Sequence, residues 1–123
     1  MAINYDELMQ AKSTGVAASY RDRETMLYAL GIGFMRDPMN TNELPFVYEN
    51  GLKTVPTMAS VIGWGGGNIM ARSGINYLMV VDGERRITLH KQLPIAAKVV
   101  IDQRVLGVFD NGKDKGAVLV TES

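Results

Sequence analysis

A chain of 123 residues, 46% hydrophobic and 21% charged, is one domain by default and is too apolar for a disordered segment. Its 13 Lys and Arg balance 13 Asp and Glu, which excludes a broad electrostatic pull toward nucleic acid or an anionic membrane. The absence of cysteine excludes disulfides, thiolate zinc sites and a cysteine nucleophile, and no apolar run approaches the ~18 residues of a membrane helix.

The first eighteen residues are weakly patterned, with Ile3, Leu8 and Val16 scattered among polar neighbours. They read as an N-terminal arm with a short helical turn around Asp6–Lys12, and the polar start MAINYDELMQ is not a signal peptide. A helix is expected to begin near Ser19, with Ser19 and Asp22 at capping-box spacing. Met26, Leu27 and Leu30 supply an apolar stripe, and Gly31 and Gly33 stop the helix. Residues 34–53 form a loop studded with turn residues, within which Leu44-Pro45-Phe46-Val47-Tyr48 is an apolar patch expected to dock inward.

Pro56 suits the first turn of a second helix. Met58, Val61, Ile62 and Trp64 surround that helix, which predicts a buried element ended by Gly65-Gly66-Gly67-Asn68. This glycine run follows a helix and has no lysine in the required place, so it is not a phosphate loop. The second half reads as strands: Ile75–Val81, a tight turn at Asp82-Gly83, an alternating Arg85–Lys91, then Lys98–Phe109 with Val99, Ile101 and Val105 on one face. A polar turn at Asp110–Gly116 and a last strand Ala117–Thr121 follow. One buried helix before an antiparallel run predicts an α+β domain whose sheet curls around that helix. No internal repeat or linker interrupts it.

The residues offer little chemistry. His90 is the only histidine and falls on the solvent face of its strand, so a histidine metal site is not expected. Asp37 and Glu43 are a pair of loop acids that could act as two carboxylates, and Ser60 and Ser73 lack a nucleophile-elbow context.

The strings MLYALGIG after Tyr20, LPFVYENGLKTVPTMASVIG and DGERRITLHKQLP resemble the N-terminal half of MaoC-like (R)-specific enoyl-CoA hydratases. These are two-hot-dog enzymes, and the resemblance covers about Ser19 to Glu122. It implies a hot-dog fold over 19–123, with 1–18 as an arm before it and 56–64 opening the central helix. It also implies a reaction, the reversible hydration of trans-2-enoyl-CoA to (3R)-3-hydroxyacyl-CoA. In that family the acid–base Asp and His lie in a G-D-x-N-P-x-H motif on the C-terminal hot dog. The N-terminal copy is degenerate, accommodating the acyl chain and bracing the active half. Here Gly33-Phe34-Met35-Arg36-Asp37-Pro38-Met39-Asn40 holds an Asp and a Pro without the motif's order and without a His. The resemblance thus implies no catalytic residue in this chain.

The same resemblance points to substrate-binding positions. Asp82-Gly83 stands where the family commonly has His-Gly, and Asn111 where it has the Lys of Asp-Lys-Gly, with Lys113 and Lys115 close by. Asp82, Gly83, Asn111 and Lys113 are the substrate-binding residues expected on this basis. The CoA thioester is substrate, and no cofactor or metal is expected. The implied partners are acyl-CoA and a second hot dog carrying the catalytic motif, with an oligomer expected; the cysteine-free composition favours a cytoplasmic home. The family domain continues with another strand after the position of Ser123, which predicts an edge completed by further chain or by a partner. Two other readings stand beside this one: a non-catalytic acyl-CoA-binding or scaffold hot dog, and a thioesterase-type hot dog using a carboxylate such as Asp37 or Glu43.

Overall fold

The computed structural model describes residues 4–71 and 73–123; Ile3 lies outside the described residues. The elements are α1 (Tyr5–Met9), β1 (Lys12–Tyr20), α2 (Asp22–Gly31), α3 (Ala59–Ile62), β2 (Ala97–Asp110) and β3 (Ala117–Glu122), with short 3-10 turns between them. The strands form one sheet in the order β1-β2-β3, and β2 pairs antiparallel with β3. Among the described residues no helix is long and apolar enough to cross a membrane. The chain divides into two compact units.

One unit holds the described residues of Met1–Ala17, Gly65–Gly83 and Val100–Ser123. Helix α1 matches the short turn expected near Asp6, is capped by Asn4, and buries Leu8. Strand β1 was not foreseen, because glycine and alanine give it no apolar alternation. Its Gly15 takes φ +72° and donates its N–H to an Asp102 carboxylate oxygen at 2.7 Å. That φ suits glycine, and Asp102 fixes the irregularity from the neighbouring strand. On β2 the expected face is confirmed: Ile101 and Val105 are buried and Val99 is half-buried. A register shift leaves Leu106 as the extra residue, with Val105 opposite Thr121 and Gly107 opposite Val120. The hairpin closes where its polar residues predicted: Gly112 has φ +95° and donates to Asp110, and the Asn111 N–H donates to Gly116 O at 2.9 Å.

The other unit holds Ala18–Trp64 and Glu84–Val99. Helix α2 corrects the expectation at both its start and its face. Ser19 lies in β1, and the first turn is closed by Glu24, whose carboxylate accepts the Arg21 N–H at 2.8 Å. The reason is geometric: the glutamate at the third helical position reaches back to the residue before the helix. The buried face carries Thr25 and Ala29, whereas Leu27 is 58% and Leu30 50% exposed. The C-terminus is as expected. Gly33 has φ +104°, its N–H donates to Leu30 O, and the Phe34 N–H donates to Ala29 O at 3.0 Å, which satisfies the last carbonyls.

That Arg21 hydrogen bond, and then the bond from Arg23, holds the Glu24 carboxyl below its ordinary pKa of 4.5. A lowered folded value means the contribution is complete above the ordinary value and disappears as pH falls through the native one. Helical circular dichroism should therefore be lower for Glu24→Gln than for the parent at neutral pH, with the gap closing as the pH falls below the ordinary 4.5 and through the lowered native value.

Two expectations fail in the middle of the chain. The buried helix over 57–64 is a broken one: a 3-10 turn Pro56–Met58, four α residues, and a second 3-10 turn Gly63–Gly66. Only Met58 and Gly66 of this stretch are buried, and Trp64 is 68% exposed. Glycines at 63, 65, 66 and 67 give the helix no side chains with which to extend its packing. Likewise Ile75–Val81 holds a 3-10 turn at Tyr77–Met79 instead of a strand, and Leu78 is 94% exposed. Asp82-Gly83 closes no hairpin, and Arg85–Lys91 carries no ladder. Both segments have strand composition, but a strand also needs a partner edge.

Candidate functional site

The Pro94–Ile95 peptide is gripped by three hydroxyls. Thr25, fully buried, donates from Oγ1 to Ile95 O at 2.9 Å. Tyr20 donates to Pro94 O at 2.8 Å, and Thr54 donates to the same oxygen at 3.1 Å. Burial raises the Tyr20 phenol above its ordinary pKa, so it stays protonated as the donor this bond needs. The grip ties the segment after Glu84 to helix α2 and to the residues before Pro56. None of these hydroxyls is legible as functional in the sequence, where Thr25 interrupts an apolar helix.

Beside that anchor lies a groove of about 400 Å³ lined by Phe46, Lys53, Thr54, Pro56, Leu89, Lys91 and Gln92. Its walls follow from local structure. The 3-10 turn Leu44–Phe46 carries Phe46, whose ring meets Phe34 edge-on with centroids 5.0 Å apart. The Leu44–Tyr48 patch docks inward only in part: Pro45, Phe46 and Val47 are half-buried, and Leu44 and Tyr48 stay exposed. The Lys53 N–H donates to Pro45 O at 2.7 Å, tying the groove's second wall to its first. Pro56 opens its turn after an extended Val55, the conformation a residue before proline prefers. Phe46, Pro56 and Leu89 present apolar surface, and Lys53 and Lys91 add two exposed cations. Such a lining suits a chain-like apolar group with an anionic end.

The loop that precedes the groove is ordered by its own side chains. Met35 sits in the left-handed region at φ +61°, and its N–H donates to a Glu43 carboxylate oxygen at 2.6 Å. Asp37 accepts from the Met39 N–H, and Asn40 from the Asn42 N–H. The two acids considered for a carboxylate pair are thus both engaged in holding backbone, each at its own turn. His90 is exposed on a segment without a ladder. Thr57 belongs to a 3-10 turn, where its hydroxyl accepts from Tyr28 at 3.0 Å, instead of opening a long helix. Among the described residues no cluster of three or more His, Cys, Asp or Glu gathers.

The residues expected to bind substrate lie elsewhere. Asp82 and Gly83 stand in an exposed irregular stretch, and Asn111 and Lys113 in the exposed β2–β3 turn. None of the four lines the groove, nor a second concavity of about 400 Å³ bordered by Glu7, Lys12, Asn68 and Ser73. The groove escaped the sequence reading because its walls come from residues 46, 53–56 and 89–92, which no local pattern joins.

Comparison with known proteins places this geometry in context. Residues 18–123 match the family model described as the MFE-2 hydratase 2 N-terminal domain. A 3-hydroxyacyl-thioester dehydratase Y of Mycobacterium tuberculosis is 30% identical over 105 residues, which is 82% of this chain and 34% of that protein. The peroxisomal enoyl-CoA hydratase 2 of Arabidopsis thaliana is 30% identical over 128 aligned residues, 98% of this chain and 41% of that protein. The peroxisomal multifunctional enzyme type 2 of Mus musculus is 25% identical over 118 residues, 90% of this chain and 16% of that protein. The chain therefore spans well under half the length of each of these curated relatives.

Proposed function

Because the chain belongs to the MFE-2 hydratase 2 N-terminal domain family, we propose that it is the acyl-chain-accommodating half of an enzyme that reversibly hydrates trans-2-enoyl-CoA to (3R)-3-hydroxyacyl-CoA. The observation that carries this reading is a family match over residues 18–123 combined with a chain whose candidate acids are both spent on backbone. Hydration requires one group to take a proton from water as its oxygen attacks C3, and another to deliver a proton at C2. Asp37 and Glu43 hold turns, and His90 stands exposed at a bend. The acid and base are therefore assigned to a second hot dog. The groove of Phe46, Pro56 and Leu89 is assigned to the acyl chain, with Lys53 and Lys91 toward its anionic carrier.

The small α+β architecture, with its three-stranded sheet, is compatible with a hot-dog fold. In this reading the complete sheet has more strands. Strand β3 pairs on one side only among the described residues, and its sequence AVLVTE has no lysine or proline to guard the other side. A further strand is assigned to that edge.

The test is hydration of crotonyl-CoA by this chain alone and by this chain joined to a hot dog bearing the Asp and His motif. The expected result is no turnover alone and (R)-selective water addition when joined, with new hydrogen-exchange protection along β3. Acyl-CoA binding without turnover in the joined form would mark a scaffold instead. Thioester hydrolysis by the chain alone that is lost in Asp37→Asn would mark a thioesterase.

A further inference from the structure

The chain contains two Asn-Gly pairs, Asn50-Gly51 and Asn111-Gly112, and all four residues are exposed. Asparagine is chemically labile before glycine, because the next backbone nitrogen can reach the side-chain amide carbon when no Cβ blocks the approach. Both glycines take a left-handed φ, +75° at Gly51 and +95° at Gly112, and a Cβ built on either meets nothing within 4 Å. Sequence, exposure and room therefore do not separate the two pairs. Hydrogen bonding does. The Gly112 N–H donates to an Asp110 carboxylate oxygen at 2.8 Å, in a hairpin turn closed by the strand pair Asp110 and Ala117. A carboxylate on that N–H opposes the negative charge the nitrogen must develop to attack. At the other pair, neither the Gly51 N–H nor the Asn50 carboxamide is hydrogen-bonded among the described residues. Residues 47–51 also belong to no helix or ladder that would hold them out of the reactive geometry.

We propose that Asn50-Gly51 is a self-modifying site, which converts to an aspartyl or isoaspartyl residue in the folded chain while Asn111-Gly112 is spared. Gly51 N bonds to Asn50 Cγ, the Cγ–Nδ2 bond breaks, and the proton of the attacking nitrogen leaves with ammonia. Water then opens the succinimide. Attack at Cγ restores the main chain and leaves a carboxylate on the side chain. Attack at the main-chain carbonyl carbon leaves Gly51 joined through Cγ, with one methylene added to the main chain. No electron is transferred, water is the only co-reactant, and either product carries one new negative charge. The loop 46–52 is closed by the Lys53 N–H donating to Pro45 O at 2.7 Å, and Phe46 and Lys53 line the groove. A longer main chain inside that closure loosens it, and the new carboxylate offsets a groove cation. The conversion does not depend on what occupies the groove.

The test is ageing of the 123-residue chain in mildly alkaline buffer, read by peptide mapping with fragmentation that separates aspartyl from isoaspartyl. The peptide holding Asn50 should gain about 1 Da. Its rate should exceed that of the Asn111 peptide at least about tenfold, because Gly112 must first leave a charge-assisted bond. In the urea-unfolded chain the two rates should become equal. Asp110→Ala should raise the Asn111 rate severalfold and leave the Asn50 rate unchanged. Asn50→Gln should abolish the fast conversion. In the isoaspartyl form, separated by ion exchange, the Lys53 amide should exchange hydrogen severalfold faster than in fresh protein. Equal native rates or faster conversion at Asn111 overturn the proposal, as does a rate ratio that persists in urea. Unchanged Lys53 exchange overturns the effect on the groove.

Discussion

Gly66→Ala should cost about 2 kcal/mol and lower the melting temperature by several degrees. A methyl group added at Gly66 would meet Ile101 Cγ2 at 2.6 Å and Gln103 Cδ at 2.7 Å. Ile101 is a buried β-branched residue on β2, so it has little freedom to turn away. Elsewhere a glycine-to-alanine change at ordinary φ stabilises a chain by about 0.4–1 kcal/mol through the unfolded state. The close approach reverses that sign here. The check is a urea titration, in which the midpoint should fall with the slope unchanged. A cycle with Ile101→Ala sharpens it. Removing Cγ2 relieves the contact with Ile101 and leaves the one with Gln103, so the double variant should lose less stability than the two single losses added together. An unchanged or raised midpoint for Gly66→Ala would show that β2 does not lie against Gly66 as described.

The second large effect concerns the grip on Pro94–Ile95. Thr25→Val keeps the shape of a fully buried side chain and deletes the donor to Ile95 O, which should cost about 1–2 kcal/mol. Tyr20→Phe and Thr54→Val behave differently, because both donors serve one oxygen, Pro94 O. Either single variant leaves that carbonyl one partner and should cost less than Thr25→Val. The double variant leaves it none, so its loss should exceed the sum of the singles. Proteolysis within 84–93 offers a second readout, since the grip is what ties this ladderless segment to α2. If the double variant is merely additive, the two hydroxyls do not share the carbonyl in solution.

Parts of this architecture were legible in residues and parts were not, and the division follows the range of the forces. Strands β2 and β3 and the turn between them were readable. Alternation at Val99, Ile101 and Val105 and the turn chemistry of Asp110–Gly116 are local properties. The existence and end of α2 were readable for the same reason, through Gly33 and its left-handed φ. The face of α2 was not. Leu27 with Leu30 and Thr25 with Ala29 both repeat at helical spacing, and apolar content favours the first pair. The second pair is buried because small side chains allow close approach and the Thr25 hydroxyl finds a carbonyl seventy residues away. In the same way 75–81 and 85–91 have the composition of strands, yet composition cannot supply a neighbouring edge.

The sequence by itself determined the family, the absence of the family's acid–base motif, the start of the Pro56 turn and the C-terminal hairpin. Each of these resides in contiguous residues whose backbone preferences or motif order can be read directly. Only the tertiary structure decided which face of α2 is buried, that Asp37 and Glu43 are held by backbone amides, and that Trp64 stands in solvent under Arg85. It also assembled the groove from Phe46, Lys53, Pro56, Leu89 and Lys91, with none of Asp82, Gly83, Asn111 and Lys113 in its lining. The reason is physical: hydrogen bonds, ring contacts and cavities form between residues brought together by folding, and their energies depend on distances that sequence separation does not record.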